Sequence, residues 1–253
     1  MTHVLVVKTS SMGDIIHALP AVTDARRLLP GITFDWVVEE AFEDIPASHP
    51  AVNEVIPVAI RRWRRNVKAA LSGGEFSQFK AALRRNPYDL VIDAQGLMKS
   101  ALITRLVDAK SVGLDWQSAR EPLSSLFYQQ KVKASRNQHA VEKIRQLFAE
   151  ALAYEVPQQL GSYGIHPDAR SLGEGLDKYC HTKQILFNHG TAWESKQWPV
   201  AYWQQLAQQV IEGGYRVLLP WGDEIEKQRA ELIGEGQPAA IVLPSLKIRE
   251  LMG

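Results

Sequence analysis

The chain has 253 residues, 45% apolar and 23% charged, the balance of an ordinary soluble globular protein rather than a disordered or membrane-embedded one. Its formal net charge of +1 excludes a broad attraction to polyanions such as nucleic acid, so any basic feature that matters is local. Cys180 is the single cysteine, which excludes an internal disulfide framework and a thiolate metal cluster. No run approaches the ~18 consecutive apolar residues of a spanning helix, and MTHVLVVKTSS lacks the flanks of a signal peptide, so the expected location is the cytoplasm.

In chain order, Val4 to Val7 is a short β-branched apolar run, the pattern of a strand covered on both faces. Lys8 to Gly13 form a turn, and Ile15, Ile16, Leu19 and Val22 then recur at helical spacing, which predicts one helix from Asp14 to Leu29. Further strands are predicted at Thr33 to Val38, Glu54 to Pro57, Leu90 to Asp93 and Ser111 to Leu114, with a helix at Phe76 to Arg85. That alternation implies βαβ units and a parallel sheet. Ala140 to Leu152 reads as one more amphipathic helix, followed by a loosely patterned stretch rich in glycine. A second alternation follows: strand Gln184 to Asn188, helix Pro199 to Glu212, strand Arg216 to Leu219, helix Asp223 to Gly234, strand Ala240 to Leu243. The expected organisation is an α/β domain at 1–153, a linker at 154–182 and a second α/β domain at 183–253.

Asp14 sits where the first strand runs into the first helix, just beyond the carboxyl end of a strand, which is where ligands bind in open α/β sheets. Two readings stand for it. As a cap or dipole partner it contributes about 0.5 to 2 kcal/mol. Alternatively it accepts a proton from a bound hydroxyl while neighbouring amides hold an anion.

Arg61 to Arg65, RRWRR, is the local basic feature, and its arginines around Trp63 suit carboxylates and phosphates through bidentate hydrogen bonds. The same composition also fits an anionic membrane surface, nucleic acid or a plain solvated turn. No pair of histidines or carboxylates has metal-ligand spacing, so no metal is expected. The strand, turn and helix at the amino terminus mimic a dinucleotide-binding layout, but G-x-G-x-x-G needs three glycines and KTSSMGD offers only Gly13. A nicotinamide-dependent oxidoreductase is rejected on that ground.

VVKTSSMGDIIHALPAVTDA closely resembles the amino terminus of the lipopolysaccharide heptosyltransferase I family. The likeness continues through FDWVVEE, VIPVAIRRWRR, YDLVIDAQGLMKSA, LDWQSAREPLSSLFY, QHAVEKIRQLFA, HGTAWESKQWP and LPWGDEIEKQRA, nearly the whole chain. The heptosyltransferase II class carries a different first loop, without KTSS before its Gly-Asp. The resemblance implies a GT-B fold, two Rossmann-like lobes with parallel sheets. Relatives of this type continue into a VSVDTGLSHL-like segment that helps hold the nucleotide sugar, and the sequence given ends at Gly253 before any such segment, so the second lobe is expected to be incomplete.

The implied reaction moves L-glycero-D-manno-heptose from an ADP-activated donor, ADP-L-glycero-D-manno-heptose, to a hydroxyl of Kdo in Kdo-lipid A, with inversion and without cofactor or metal. Asp14 matches the family's base; a carboxylate at a helix start has, if anything, a low pKa and takes the proton late. Lys196 and Thr191 match groups on the diphosphate, with Ala192 where the family often has a second threonine. Glu226 matches an acid near the donor's ribose, and Leu246 a residue packed on the adenine. Ser11, Gly13, Arg61, Arg62, Arg64, Lys99 and Arg120 fall on the acceptor side. A lipid acceptor implies an enzyme peripheral to the cytoplasmic face of the inner membrane, with no nucleic-acid partner. The alternative is a catalytically inactive fragment that binds only the acidic lipid acceptor.

Overall fold

The computed structural model describes residues 2–65, 73–165, 183–191 and 194–252. They fall into two compact units, Met1–His166 and Pro167–Gly253. The division lies inside the stretch expected to join the lobes, most of which is outside the described residues; Cys180 is outside them too.

The first unit is built on a six-stranded sheet in the order β3-β2-β1-β4-β5-β6. Its strands are β1 (His3–Val7), β2 (Thr33–Glu39), β3 (Val52–Val58), β4 (Leu90–Asp93), β5 (Lys110–Leu114) and β6 (Gln130–Val132), all paired in parallel. β6, only three residues long, carries too little periodicity to be read from sequence. The strand order reverses direction at β1 and β4, so the loops after these two strands border the crevice in which such sheets bind ligands.

Alternation along the strands explains why both faces are covered. Leu5, Val7, Val37, Ile56, Val58 and Val91 form one buried cluster with Phe79, Leu83 and Ile103 from helices Glu75–Leu83 and Met98–Thr104. Phe34 instead meets Phe148 of helix Ala140–Leu152, with ring centroids 6.1 Å apart.

The single helix expected over Asp14 to Leu29 is corrected to two, α1 (Met12–Ile16) and α2 (Leu19–Leu28). Pro20 has no N–H to give to the Ile16 carbonyl, so the ladder cannot run through it, and Ala18 closes a tighter turn onto Ile15. Proline is tolerated in the first turn of α2, where the amide would lack a partner anyway.

The second unit has a three-stranded parallel sheet, β7 (Gln184–Leu186), β8 (Arg216–Leu219) and β9 (Ala240–Val242), in that order. Helices Val200–Glu212 and Glu224–Gly234 pack on it around Phe187, Ala207, Val217, Leu219, Ala230 and Ile233. Among the described residues no helix is long and apolar enough to cross a membrane.

Candidate functional site

In the first unit the site is assembled by the loops after β1 and β4. Lys8, the first residue past β1, is anchored by its backbone: its N–H donates to the Val37 carbonyl and its own carbonyl accepts from Trp36 Nε1 at 3.1 Å. The next two amides, Thr9 and Ser10, both donate to Oε1 of Gln95, at 3.0 and 3.2 Å. Gln95 itself is held because Asp93, the last residue of β4, accepts the N–H groups of Gln95 and Gly96 through Oδ1, at 2.8 and 3.1 Å. Gly96 has φ +67°, a conformation an L side chain rarely adopts, so the turn requires glycine.

Asp14 stands in the first turn of α1, its Oδ2 accepting from both the N–H and the Oγ of Ser11 at 3.0 Å. The capping role is therefore realised, through one oxygen; Oδ1 has no hydrogen bond among the described residues. Burial works against the charge on this carboxyl, but the two Ser11 bonds and the positive charges of Lys8 and Arg120 outweigh it and hold the pKa below the ordinary value. Asp14 lines a cleft of about 330 Å³ with Ser10, Ser11, Gln95, Arg120 and Glu121. A carboxylate that is ionised at neutral pH, with one free oxygen on a cleft, can take a proton from a bound hydroxyl.

On one side of this cleft, Lys99 donates to Ser10 Oγ at 3.0 Å. Burial lowers its pKa, and the charges of Arg61 and Arg64 add to that effect against Glu39 and Glu121. The basic segment forms helix Ile60–Arg65, not a loose turn. Its members differ in what they have left to offer. Arg64 is exposed, and Arg61 lies over the ring of Phe42 at 5.4 Å. Arg62 is already engaged within the protein: Nη1 donates to both oxygens of Glu75 at 2.7 and 2.9 Å, and Nε and Nη2 to Glu40 at 3.3 and 3.2 Å. Trp63 Nε1 also donates to Glu75, at 2.7 Å. Arg62 and Trp63 thus brace the helix, whereas Ser11, Gly13, Lys99 and Arg120 lie on or beside the cleft loops.

In the second unit the candidate donor residues also follow the carboxyl ends of strands. Thr191 is half-buried beyond β7, and its carbonyl accepts from Gln197 Nε2 at 3.3 Å. Lys196, in the short turn Glu194–Lys196, is exposed and forms no hydrogen bond or ion pair among the described residues. Ala192 lies outside the described residues. Glu226, in the first turn of helix Glu224–Gly234, accepts the Gly222 N–H at 2.8 Å and lies directly against Gly190, so the helix and the Thr191 loop meet there. Arg229 one turn on ties the same loop down, donating to Gln197 and to the Trp198 carbonyl. Thr191, Lys196 and Glu226 are thereby carried by neighbouring segments. Leu246, half-buried, lies beyond β9 before helix Ile248–Met252.

Gln95 and Glu121 were not singled out from the sequence, since a lone amide or acid in a turn carries no pattern. Among the described residues no group of three or more His, Cys, Asp or Glu side chains could hold a metal ion.

The sequence model of glycosyltransferase family 9 (heptosyltransferase) matches residues 76–253. Lipopolysaccharide heptosyltransferase 1 of Pseudomonas aeruginosa is 52% identical over 246 residues, covering 97% of this chain and 68% of that protein. The structure of the heptosyltransferase WaaC of E. coli with ADP superposes with a TM-score of 0.91 at 46% identity, covering 99% of this chain and 77% of that one. The same enzyme with ADP-2-deoxy-2-fluoro heptose gives a TM-score of 0.88 at 45% identity, covering 99% and 78%.

Proposed function

The chain belongs to glycosyltransferase family 9, the heptosyltransferases, and from that premise we propose that it moves L-glycero-D-manno-heptose from ADP-heptose to a Kdo hydroxyl of Kdo-lipid A. The donor half of this reading is supported by the related E. coli enzyme, whose structures hold ADP and an ADP-heptose analogue. The observation that carries the chemistry is Asp14, an ionised carboxylate on an open cleft with one oxygen uncommitted among the described residues.

In the transfer, Asp14 accepts the proton of the attacking Kdo hydroxyl, that oxygen bonds to the anomeric carbon from the face opposite the diphosphate, and the bond from that carbon to the diphosphate oxygen breaks. The configuration inverts and ADP leaves. A base of low pKa suits a late proton transfer, after the sugar has gained oxocarbenium character. Lys196, with no partner among the described residues, and Thr191 receive the departing negative charge, with Glu226 toward the ribose and Leu246 toward the adenine. Lys99, Arg61, Arg64 and Arg120, with Ser11 and Gly13, receive the acidic acceptor; Arg62 supports them through its ion pairs with Glu40 and Glu75. The first unit is then the acceptor domain and the second the donor domain. Because the acceptor is a lipid, the enzyme works at the cytoplasmic face of the inner membrane as a peripheral protein.

The test is ADP release from ADP-heptose, measured with and without Kdo-lipid A, for the parent chain and Asp14→Asn. Acceptor-dependent release, lost in the variant while acceptor still binds, supports the reading. Acceptor binding with no ADP release from the parent chain overturns it.

A further inference from the structure

Beside the Asp14 cleft, and sharing Gln95 and Arg120 with it, lies a second pocket of about 390 Å³ that the reading above leaves unused. Lys8, Arg120, Arg136 and Lys143 line it, and no acidic residue does. Its floor is apolar, from Leu114, Ile144 and Leu147.

Three of these cations are anchored by main-chain carbonyls. Lys8 Nζ donates to the Ala94 carbonyl at 2.8 Å, Lys143 Nζ to that of Ser118 at 2.5 Å, and Arg136 Nε to that of Gln117 at 2.5 Å. None of the four forms an ion pair among the described residues, although Lys8 is only 6% exposed. Burial pulls the ammonium groups of Lys8 and Lys143 below their ordinary range, and Arg136 adds to this for Lys143 by repulsion; Asp14 and Asp93, outside the pocket's lining, act the other way on Lys8, as Asp115 does on Lys143, without reversing the shift. Like charges gathered in a concave, partly dry site are costly unless an anion enters, and a carbonyl-bound ammonium keeps donors for one.

We propose that this pocket is an oxyanion subsite for a carboxylated sugar, with the carboxylate between Arg136, Lys143 and Lys8 and the sugar's carbon skeleton against Leu114, Ile144 and Leu147. The space is much larger than an inorganic anion needs, and the apolar floor gives a bare phosphate nothing to rest on. The inference rests on the acidic-acceptor reading and adds to it: an acid group of the acceptor is gripped from the β5 and Ala140–Leu152 side, opposite the arginines of helix Ile60–Arg65. Arg120, common to both cavities, bridges the reacting hydroxyl's cleft and the acid's pocket.

The experiment is calorimetric titration of the full chain with Kdo monosaccharide, with its carboxyl-reduced form and with inorganic phosphate, for the parent, Lys143→Met and Arg136→Gln. Arg136 is exposed, so its variant keeps the fold even if Lys143→Met does not. Loss of roughly tenfold in Kdo affinity in either folded variant, with the carboxyl-reduced sugar binding weakly and equally to all three proteins, supports the subsite. Unchanged Kdo affinity in Arg136→Gln, equal binding of the reduced sugar, or variant-sensitive binding of phosphate but not of Kdo would overturn it. Because no turnover is measured, failure of heptosyl transfer and failure of this pocket remain separate results.

Discussion

The hydroxyl of Tyr128 donates to Oδ2 of Asp93 at 2.6 Å, beneath the turn whose Gln95 clamps the amides before Asp14. Asp93 is fully buried, and burial pushes its carboxyl up despite the bonds from Tyr128, Gln95 and Gly96. Tyr128→Phe removes one of the donors to that buried group, Ser100, Gln95 and Gly96 remaining, which costs about 1 kcal/mol or more. The expected result is a lowered urea midpoint together with slower turnover, because the Gln95 clamp slackens. Gly113→Ala is expected to be worse, since a Cβ there would collide with the Tyr128 ring. A Tyr128→Phe protein with an unchanged midpoint would show that the bond carries nothing.

Asp14 has a pH signature with a definite sign. With its pKa held below the ordinary carboxylate value, the base is ionised throughout the neutral range, so kcat/KM loses activity only as pH falls through that depressed pKa. Ser11→Ala removes the hydroxyl bond to Oδ2, so the carboxyl's pKa rises and the acid limb moves toward neutral pH. Asp14→Asn abolishes the limb and costs roughly 10²- to 10⁴-fold in kcat. An acid limb that stays in place in Ser11→Ala would mean another group titrates.

Arg145 and Asp24 form a buried pair joining helix Ala140–Leu152 to α2, with Nε to Oδ2 at 2.7 Å and side chains 2% and 5% exposed. Arg145 also donates to Glu142 and to the carbonyls of Pro157 and Gln159, so it pins the segment leaving the helix. Removing Arg145 leaves the buried Asp24 with only the longer contact to Arg27 at 3.8 Å; Arg145→Met is expected to cost about 3 kcal/mol. Arg145→Met with Asp24→Leu should recover part of the loss, a coupling that a double-mutant cycle in urea reads directly. Additive losses would mean the two side chains act independently.

The elements most legible in the sequence were those whose periodicity is local. β1, its turn and the Asp14 position followed from four apolar residues, three of them β-branched, running into a helical repeat, and the second-unit alternation from the same signal. What the sequence hid depends on distant partners. The division of α1 from α2 follows from Pro20, and in principle was readable. The engagement of Arg62 was not, because Glu40 and Glu75 lie 22 and 13 residues away, and RRWRR alone reads as four equivalent cations. Gln95 acts on amides 85 and 86 residues earlier, and Lys143 joins Lys8 in one pocket only once β5 and the helix Ala140–Leu152 have packed. Such residues become functional through topology, which no window of sequence displays.

The donor side separates two kinds of variant. Lys196 is exposed and has no partner among the described residues, so Lys196→Ala should raise the KM for ADP-heptose by roughly tenfold through loss of a charge-assisted contact, leaving the unfolding midpoint where it was. Gly190→Ala acts differently: its Cβ would collide with the Glu226 carboxylate and push it off the Gly222 amide. Donor KM should rise there too, yet Gly190→Ala combined with Glu226→Ala should be little worse than Gly190→Ala alone, because the first change has already displaced the acid. Steady-state kinetics on the four proteins decide it. If the effects of Gly190→Ala and Glu226→Ala simply add, the glycine matters for some reason other than seating that carboxylate; if Lys196→Ala leaves donor KM unmoved, the lysine does not meet the diphosphate.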